Sequence, residues 1–188
     1  MNSAPKFSAA SIRGADQGYI AYHAPRYAYL LGLLTEQGAT QAARILDIGP
    51  SRLTALMRER FGAAVDSLGF GPDRATADGR HFEFDLNAAR DEARWRRDLP
   101  QYELVVMAEV LEHFYTAPEL VLAFVKSLLV ENGLLILQTP NAAALQKRVK
   151  LALGLNPYEM IRADASDPGH FREYTLAELY RLGAGAGF

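Results

Sequence analysis

From residue 44 onward the chain alternates short apolar strand patterns with amphipathic helical ones, and this alternation narrows the fold more than any other feature. Strand patterns are read at Arg44–Ile48, Ala63–Leu68, His81–Asp85, Leu104–Met107 and Leu134–Gln138. Helical patterns separate or follow them at Thr54–Phe61, Ala117–Val130, Ala142–Leu153 and Leu176–Ala184. Thr116-Ala-Pro-Glu119 and Thr175-Leu-Ala-Glu178 have the spacing of capping boxes, in which hydroxyl and carboxylate satisfy orphan amides at a helix start. Strands joined through crossover helices run parallel, and helices then cover both faces of the sheet. The expected fold class is α/β, with a doubly wound parallel sheet. In such sheets ligands bind beyond the carboxyl ends of the strands, near the point where strand order reverses. The polar residues at strand ends are therefore the functional candidates.

Upstream, residues 1–18 read as a flexible arm, and residues 19–188 as one domain with an N-terminal helical segment over 19–43. Tyr19, Tyr22, Arg26, Tyr29, Leu30 and Leu33 recur at helical spacing, while Pro25 threatens to split the helix. A formal net charge of -2 gives no basic footprint for nucleic acid. The absence of cysteine excludes disulfides, thiolate zinc sites and cysteine nucleophiles. The first residues lack the apolar core of a secretion signal, and no apolar run is long enough to span a membrane. A cytoplasmic protein is expected.

Five segments carry possible chemistry. In Ile45-Leu46-Asp47-Ile48-Gly49-Pro50-Ser51 a buried strand delivers an acid and a glycine into a turn that opens a helix. Gly49 permits close backbone approach, and the helix start offers free amides. Only Gly49 survives of the three glycines in the dinucleotide fingerprint G-x-G-x-x-G, which argues against a nicotinamide enzyme. Asp85 closes the third strand, followed by Leu86. The fourth strand runs into Glu109-Val-Leu-Glu112-His113. Asn141 after the fifth strand reads as a helix N-cap, and Lys147, Arg148 and Lys150 as a solvated basic face. Pro168-Gly-His170-Phe-Arg-Glu-Tyr-Thr175 is a loop bearing histidine, arginine and tyrosine. Four scattered histidines suggest no metal site.

The strand-four segment with E-V-L-E-H, together with Asp47-Ile-Gly49 and the G-H-x-R-x-Y-T stretch, resembles the class I S-adenosylmethionine-dependent methyltransferases of small-molecule type. The resemblance covers about residues 40–188. It implies a Rossmann-like sheet with strands ordered third, second, first, fourth, fifth. It also implies S-adenosylmethionine as cofactor, held by Asp47, Gly49, Pro50, Ser51, Gly69, Asp85, Leu86 and Glu109. Gly69 stands where the family carries a ribose-binding acid, and Asp66 lies too early to replace it. His113 and His170 are the candidate general bases, with His23 and His81 less well placed, and Glu112 reads as structural. The implied acceptor is a small molecule, such as a glycan or secondary-metabolite precursor. The alternative is a degenerate methyltransferase-fold binding module. The family continues into two further strands after a segment like Ala186-Gly-Phe188, so the domain is expected to be C-terminally incomplete and to associate through the bare edge of the fifth strand.

Overall fold

The computed structural model describes residues 17–39, 43–62, 65–76, 79–164 and 168–188. The expected arm falls outside these residues up to position 16, as do Ala63 and Ala64 at the start of the second expected strand. Helix α1 is Gln17–Glu36, so residues 17 and 18 belong to it rather than to an arm. It runs through Pro25 without a break. Ala21, whose carbonyl loses the missing N–H, lies with Pro25 on the exposed side. The face that α1 buries carries Tyr27, Leu30, Leu31 and Leu34, at i, i+3, i+4 and i+7. Tyr22 and Tyr29 point to solvent.

The strands follow as β1 (Ile45–Ile48), β2 (Val65–Gly69), β3 (Arg74–Thr76), β4 (Gly79–Glu83), β5 (Tyr102–Ala108) and β6 (Leu129–Gln138). They form one sheet ordered β3-β4-β2-β1-β5-β6. The five expected strands, here β1, β2, β4, β5 and β6, are parallel and in the expected order. The short β3 is an addition, paired antiparallel to β4 at one edge. At three residues it is too brief to show a period of two. Alternate residues of β1 and β5 face opposite ways. Ile45, Leu104 and Val106 pack with α1 and with Leu53, Met57 and Phe61 of α2 (Arg52–Phe61). Leu46, Ile48, Val105 and Met107 pack with Val121, Leu122, Phe124 and Val125 of α3 (Pro118–Ser127). Helices thus cover both faces, and two apolar cores sandwich the sheet.

Several boundaries move for identifiable reasons. Thr116 and Glu119 make no capping box: α3 begins at Pro118, and Ala117 caps it without a side-chain bond. The Thr116 hydroxyl instead donates to the Asn87 carbonyl, 3.0 Å away. Helix α3 ends at Ser127, and Leu129 already pairs with Tyr102 of β5. The pairing then slips until Leu104 meets Leu134, and Asn132 takes a φ of 60° where the chain bulges. Asn141 is an Asx turn rather than an N-cap. Its Oδ1 accepts from Ala143 N at 2.9 Å, while α4 (Leu145–Ala152) begins beyond it. The second capping box is present at the start of α5 (Leu176–Gly185), where Thr175 and Glu178 bond reciprocally. Strand β6 is the last in the sheet, and Leu134 on it is 41% exposed.

Candidate functional site

A cavity of about 780 Å³ opens where the parallel strands end. Its walls come from the residues that follow β1 (Gly49, Pro50), β2 (Phe70), β4 (Phe84, Asp85, Leu86) and β5 (Glu109, Val110, His113), with Gly69 at the tip of β2. This is the carboxyl-end location expected of a doubly wound sheet. The ladders continue into the rim. Gly49 N donates to Leu68 O, and Phe84 N to Gly69 O, both at 2.9 Å. The strand tips are thus held rigid where a ligand would meet them.

Two glycines in the cavity wall let the turns around it pack closely. Gly49 has a φ of +77°, and a Cβ there would lie 2.5 Å from Val110 Cγ2. A Cβ on Gly69 would lie 2.8 Å from Pro50 Cδ. The β1 turn therefore packs directly on the end of β2 at Gly69 and on Val110 after β5 at Gly49, so a side chain at either glycine would force its neighbour away. Gly69 leaves no acid at this strand end. Asp66 is buried within β2, where it accepts from the Tyr102 hydroxyl at 3.0 Å and from the Arg80 amide at 2.8 Å. Asp73 is bound to Arg96 and to the amide of Glu83.

Asp47 does not line the cavity. Its carboxylate is 2% exposed and accepts from the Thr54 hydroxyl at 2.5 Å, and that hydroxyl in turn accepts from Ser51 N at 2.8 Å. Asp47 shares the α2-facing side of β1 with Ile45, so the acid braces the turn from behind. Ser51 is likewise turned to the helix, as the N-cap of α2, and is absent from the cavity wall. Burial pushes the Asp47 pKa from its ordinary 3.8 up to about 7, against the opposing pull of the Thr54 bond and the Arg58 charge. The native state then keeps a proton that the unfolded chain loses between about pH 4 and 7, so stability falls as pH rises through that window. Asp47→Asn keeps an oxygen for Thr54 and abolishes the titration. Relative to wild type, its unfolding free energy is expected to rise by a few kcal/mol from about pH 4 to 7, at roughly 1.4 kcal/mol for each pH step of one. Parallel pH dependence of the two proteins in denaturant melts would contradict this.

Asp85 caps a short 3-10 helix, Leu86–Arg90, through Oδ1, which accepts from Asn87 N at 2.9 Å. Its Oδ2 has no partner among the described residues. Leu86 opens that helix, so its amide has no helical carbonyl to serve. Glu109 takes a φ of 59°, uncommon outside glycine, and its carboxylate pairs with Arg26 of α1 at 2.9 Å. Arg26 thereby brings the N-terminal helix to the rim of the cavity. His23 lies near the same pair, and burial lowers its pKa. His81 is buried between the Ser67 hydroxyl and the Phe70 carbonyl, each 3.0 Å from a ring nitrogen, and has a structural role.

His113 and His170, 57 positions apart in sequence, meet edge to face with ring centroids 5.0 Å apart. His113 lines the cavity, and His170 packs against its ring. The loop carrying His170 is tied down by Phe171 N, which donates to the Glu112 carbonyl oxygen at 2.8 Å. Burial and the neighbouring His113 lower the His170 pKa, which favours its neutral imidazole. Glu112 is fully buried beside them. Its Oε2 accepts from the Thr139 hydroxyl at 2.8 Å, and burial raises its pKa. Three ligand atoms, one each from Glu112, His113 and His170, lie within 4.8 Å of one another. Two of the four histidines thus meet beside a buried carboxylate, where the sequence pattern suggests four scattered ones. Lys147 is not on a solvated face either: its ammonium pairs with Glu173, which also binds His170.

Nothing in the sequence pattern pointed to Arg26, Phe70, Asn87 or the Tyr115–Phe171 pair as parts of this site. Asn87 Oδ1 accepts from Tyr115 N at 3.0 Å and holds the loop after β5 against the cavity. The rings of Tyr115 and Phe171 pack with centroids 5.8 Å apart at the rim.

A sequence profile of a family described as a methyltransferase domain matches residues 21–188. No curated protein matches the sequence significantly. Among solved structures, a SAM-dependent methyltransferase from Archaeoglobus fulgidus is similar, with 16% identity and a TM-score of 0.57 over 92% of this chain and 75% of that one. Human N-acetylserotonin methyltransferase, solved in complex with SAM, is similar over 93% of this chain and 54% of its own, with 13% identity and a TM-score of 0.50. At these identities the likeness is one of fold.

Proposed function

Since the chain belongs to this methyltransferase-domain family, we propose that its cleft binds S-adenosylmethionine and transfers the methyl group to a small-molecule acceptor. The observation that carries this reading is the cavity at the carboxyl ends of the parallel strands, lined by the residues that follow β1, β2, β4 and β5. A volume of about 780 Å³ holds a nucleoside-sized ligand with room for an acceptor. S-adenosylmethionine, when bound, supplies a methyl group on a sulfonium whose carbon–sulfur bond breaks as the acceptor–carbon bond forms.

The residues divide by position. Gly49, Pro50 and Gly69 give the ligand backbone to lie against. Asp85 Oδ2 and the Leu86 amide are an acceptor and a donor side by side, suited to the edge of an adenine ring. Asp47 and Ser51 act as positioning residues that fix the turn. Glu109 is held on the rim by Arg26. Among the described residues none replaces the missing acid at Gly69, so a ribose would be met by backbone groups and water. On the acceptor side, His113 lines the cavity. Its Nδ1 is 3.0 Å from the Gly169 carbonyl, which only accepts, so the neutral ring carries its proton there and keeps a lone pair on Nε2. A lone pair so placed can take the proton that an oxygen or nitrogen acceptor gives up on methylation.

Calorimetry with S-adenosylhomocysteine, the demethylated product, tests the binding half of this reading. Asp85→Ala is expected to weaken binding by about 1–3 kcal/mol through loss of one charge-assisted hydrogen bond. Unchanged affinity in the variant would remove Asp85 from the site. An absence of heat and of thermal shift with wild type at millimolar ligand would favour a binding module that has lost its cofactor.

A further inference from the structure

We infer that Glu112, His113 and His170 bind a divalent transition-metal ion at the acceptor side of the cleft. Their ligand atoms all lie within 4.8 Å of one another, the convergence of a group that could share one ion. A second observation points the same way. Glu112 is 0% exposed, and its Oε1 has no hydrogen-bond partner among the described residues. A buried carboxylate oxygen left bare carries a desolvation cost, and coordination to a cation removes it.

Each imidazole is also prepared for coordination. His113 Nδ1 faces the Gly169 carbonyl at 3.0 Å, and His170 Nδ1 faces the Glu173 carboxylate at 3.2 Å. Both partners are acceptors, so each Nδ1 carries the proton and each Nε2 is left with its lone pair. This carbonyl or carboxylate behind a histidine is the outer support that orients metal-binding imidazoles and raises their basicity. Glu173 is itself held by Lys147. Glu112 is fixed by the Thr139 hydroxyl, and its main-chain carbonyl anchors the loop that delivers His170.

Two nitrogens and one carboxylate oxygen select the class of ion. Imidazole suits zinc, iron, cobalt or nickel, and manganese accepts the mixed set, whereas magnesium and calcium prefer oxygen throughout. Three protein ligands leave positions for an outside oxygen. His113 belongs both to the ion's ligand set and to the cavity wall, so those positions adjoin the space for the acceptor. The favoured acceptor is then one with a hydroxyl, which a Lewis acid makes easier to deprotonate. This inference rests on the methyl-transfer reading for its acceptor. It gives the imidazoles the task of holding the ion, and the proton of the ion-bound hydroxyl then passes to solvent water as the oxygen–methyl bond forms and the carbon–sulfur bond breaks.

Cobalt(II) is the probe, because its visible absorption reports nitrogen and oxygen coordination without any assay of activity. The chelator-treated full chain should bind one cobalt ion per protein with saturable visible bands. His170→Ala, whose site is a partly buried loop, should weaken binding at least tenfold while keeping the wild-type circular dichroism. Glu112→Gln should do the same, and His170→Ala keeps the test valid if that buried change unfolds the protein. No saturable cobalt binding by wild type, or unchanged affinity in His170→Ala, would overturn the inference. S-adenosylhomocysteine calorimetry in the presence of chelator separates the two readings. Cofactor binding without cobalt binding defeats the ion alone. Cobalt binding without cofactor binding upholds the ion and defeats the methyl-transfer reading.

Discussion

His113→Ala is expected to slow methyl transfer by about 100-fold or more, while changing the affinity for S-adenosylhomocysteine by no more than a few-fold. The ring stands in the cavity wall after β5, packed against His170. Its removal takes away the Nε2 lone pair on which proton removal from the acceptor depends, whether the ring acts alone or through an ion. The backbone surfaces of Gly49 and Gly69 and the Asp85–Leu86 edge stay in place. The loss should therefore fall on kcat, as for a group that acts in the transition state. Single-turnover assays over a panel of hydroxyl- and amine-bearing acceptors would measure it. A variant within a few-fold of wild type on an acceptor that wild type methylates would remove His113 from the chemistry.

Gly49→Ala is expected to lower the unfolding free energy by about 2–6 kcal/mol and to weaken cofactor binding at least tenfold. Two costs add. An L-residue at φ +77° is strained by about 1–3 kcal/mol. The new Cβ would also fall 2.5 Å from Val110 Cγ2, and overpacking of this kind costs about 1–3 kcal/mol. Val110 is β-branched and stiff, so the strain passes to the chain between Glu109 and His113. Denaturant melts give the first quantity and calorimetry the second. A stability within about 0.5 kcal/mol of wild type would show that the turn relaxes freely.

The fold could be read from the sequence because its signals are local. Five strands of the parallel sheet announce themselves as short apolar or alternating runs, and their order follows from the family resemblance. Interruptions within one element were harder to see. The slip in β6 at Asn132-Gly133 looks like a helix end, since the same dipeptide stops a helix or bulges a strand. The Thr116–Glu119 spacing fits a capping box, but Pro118 starts the helix and Asn87 claims the threonine.

The candidate site was legible to a different degree. Residues at strand tips were found because the tips follow from the topology. Gly49, Pro50, Gly69, Asp85, Leu86, Glu109 and His113 all reach the cavity. Asp47 and Ser51 flank the same turn, yet Asp47 lies on the α2-facing side of β1 and Ser51 turns inward to cap α2, which spacing alone does not reveal. The meeting of His113 with His170 could not be read from spacing, because a loop held by the Glu112 carbonyl brings them together. The same holds for Arg26, whose partner Glu109 lies 83 positions away.

The most direct test of the central claim is a nuclear magnetic resonance titration of the isotope-labelled chain with S-adenosylhomocysteine. Saturable shifts concentrated on the amides of Gly49, Gly69, Leu86 and Val110 are expected, because these line the cavity floor and rim. An unperturbed spectrum at millimolar ligand, or shifts confined to another surface, would contradict the assignment of this cleft as the cofactor site.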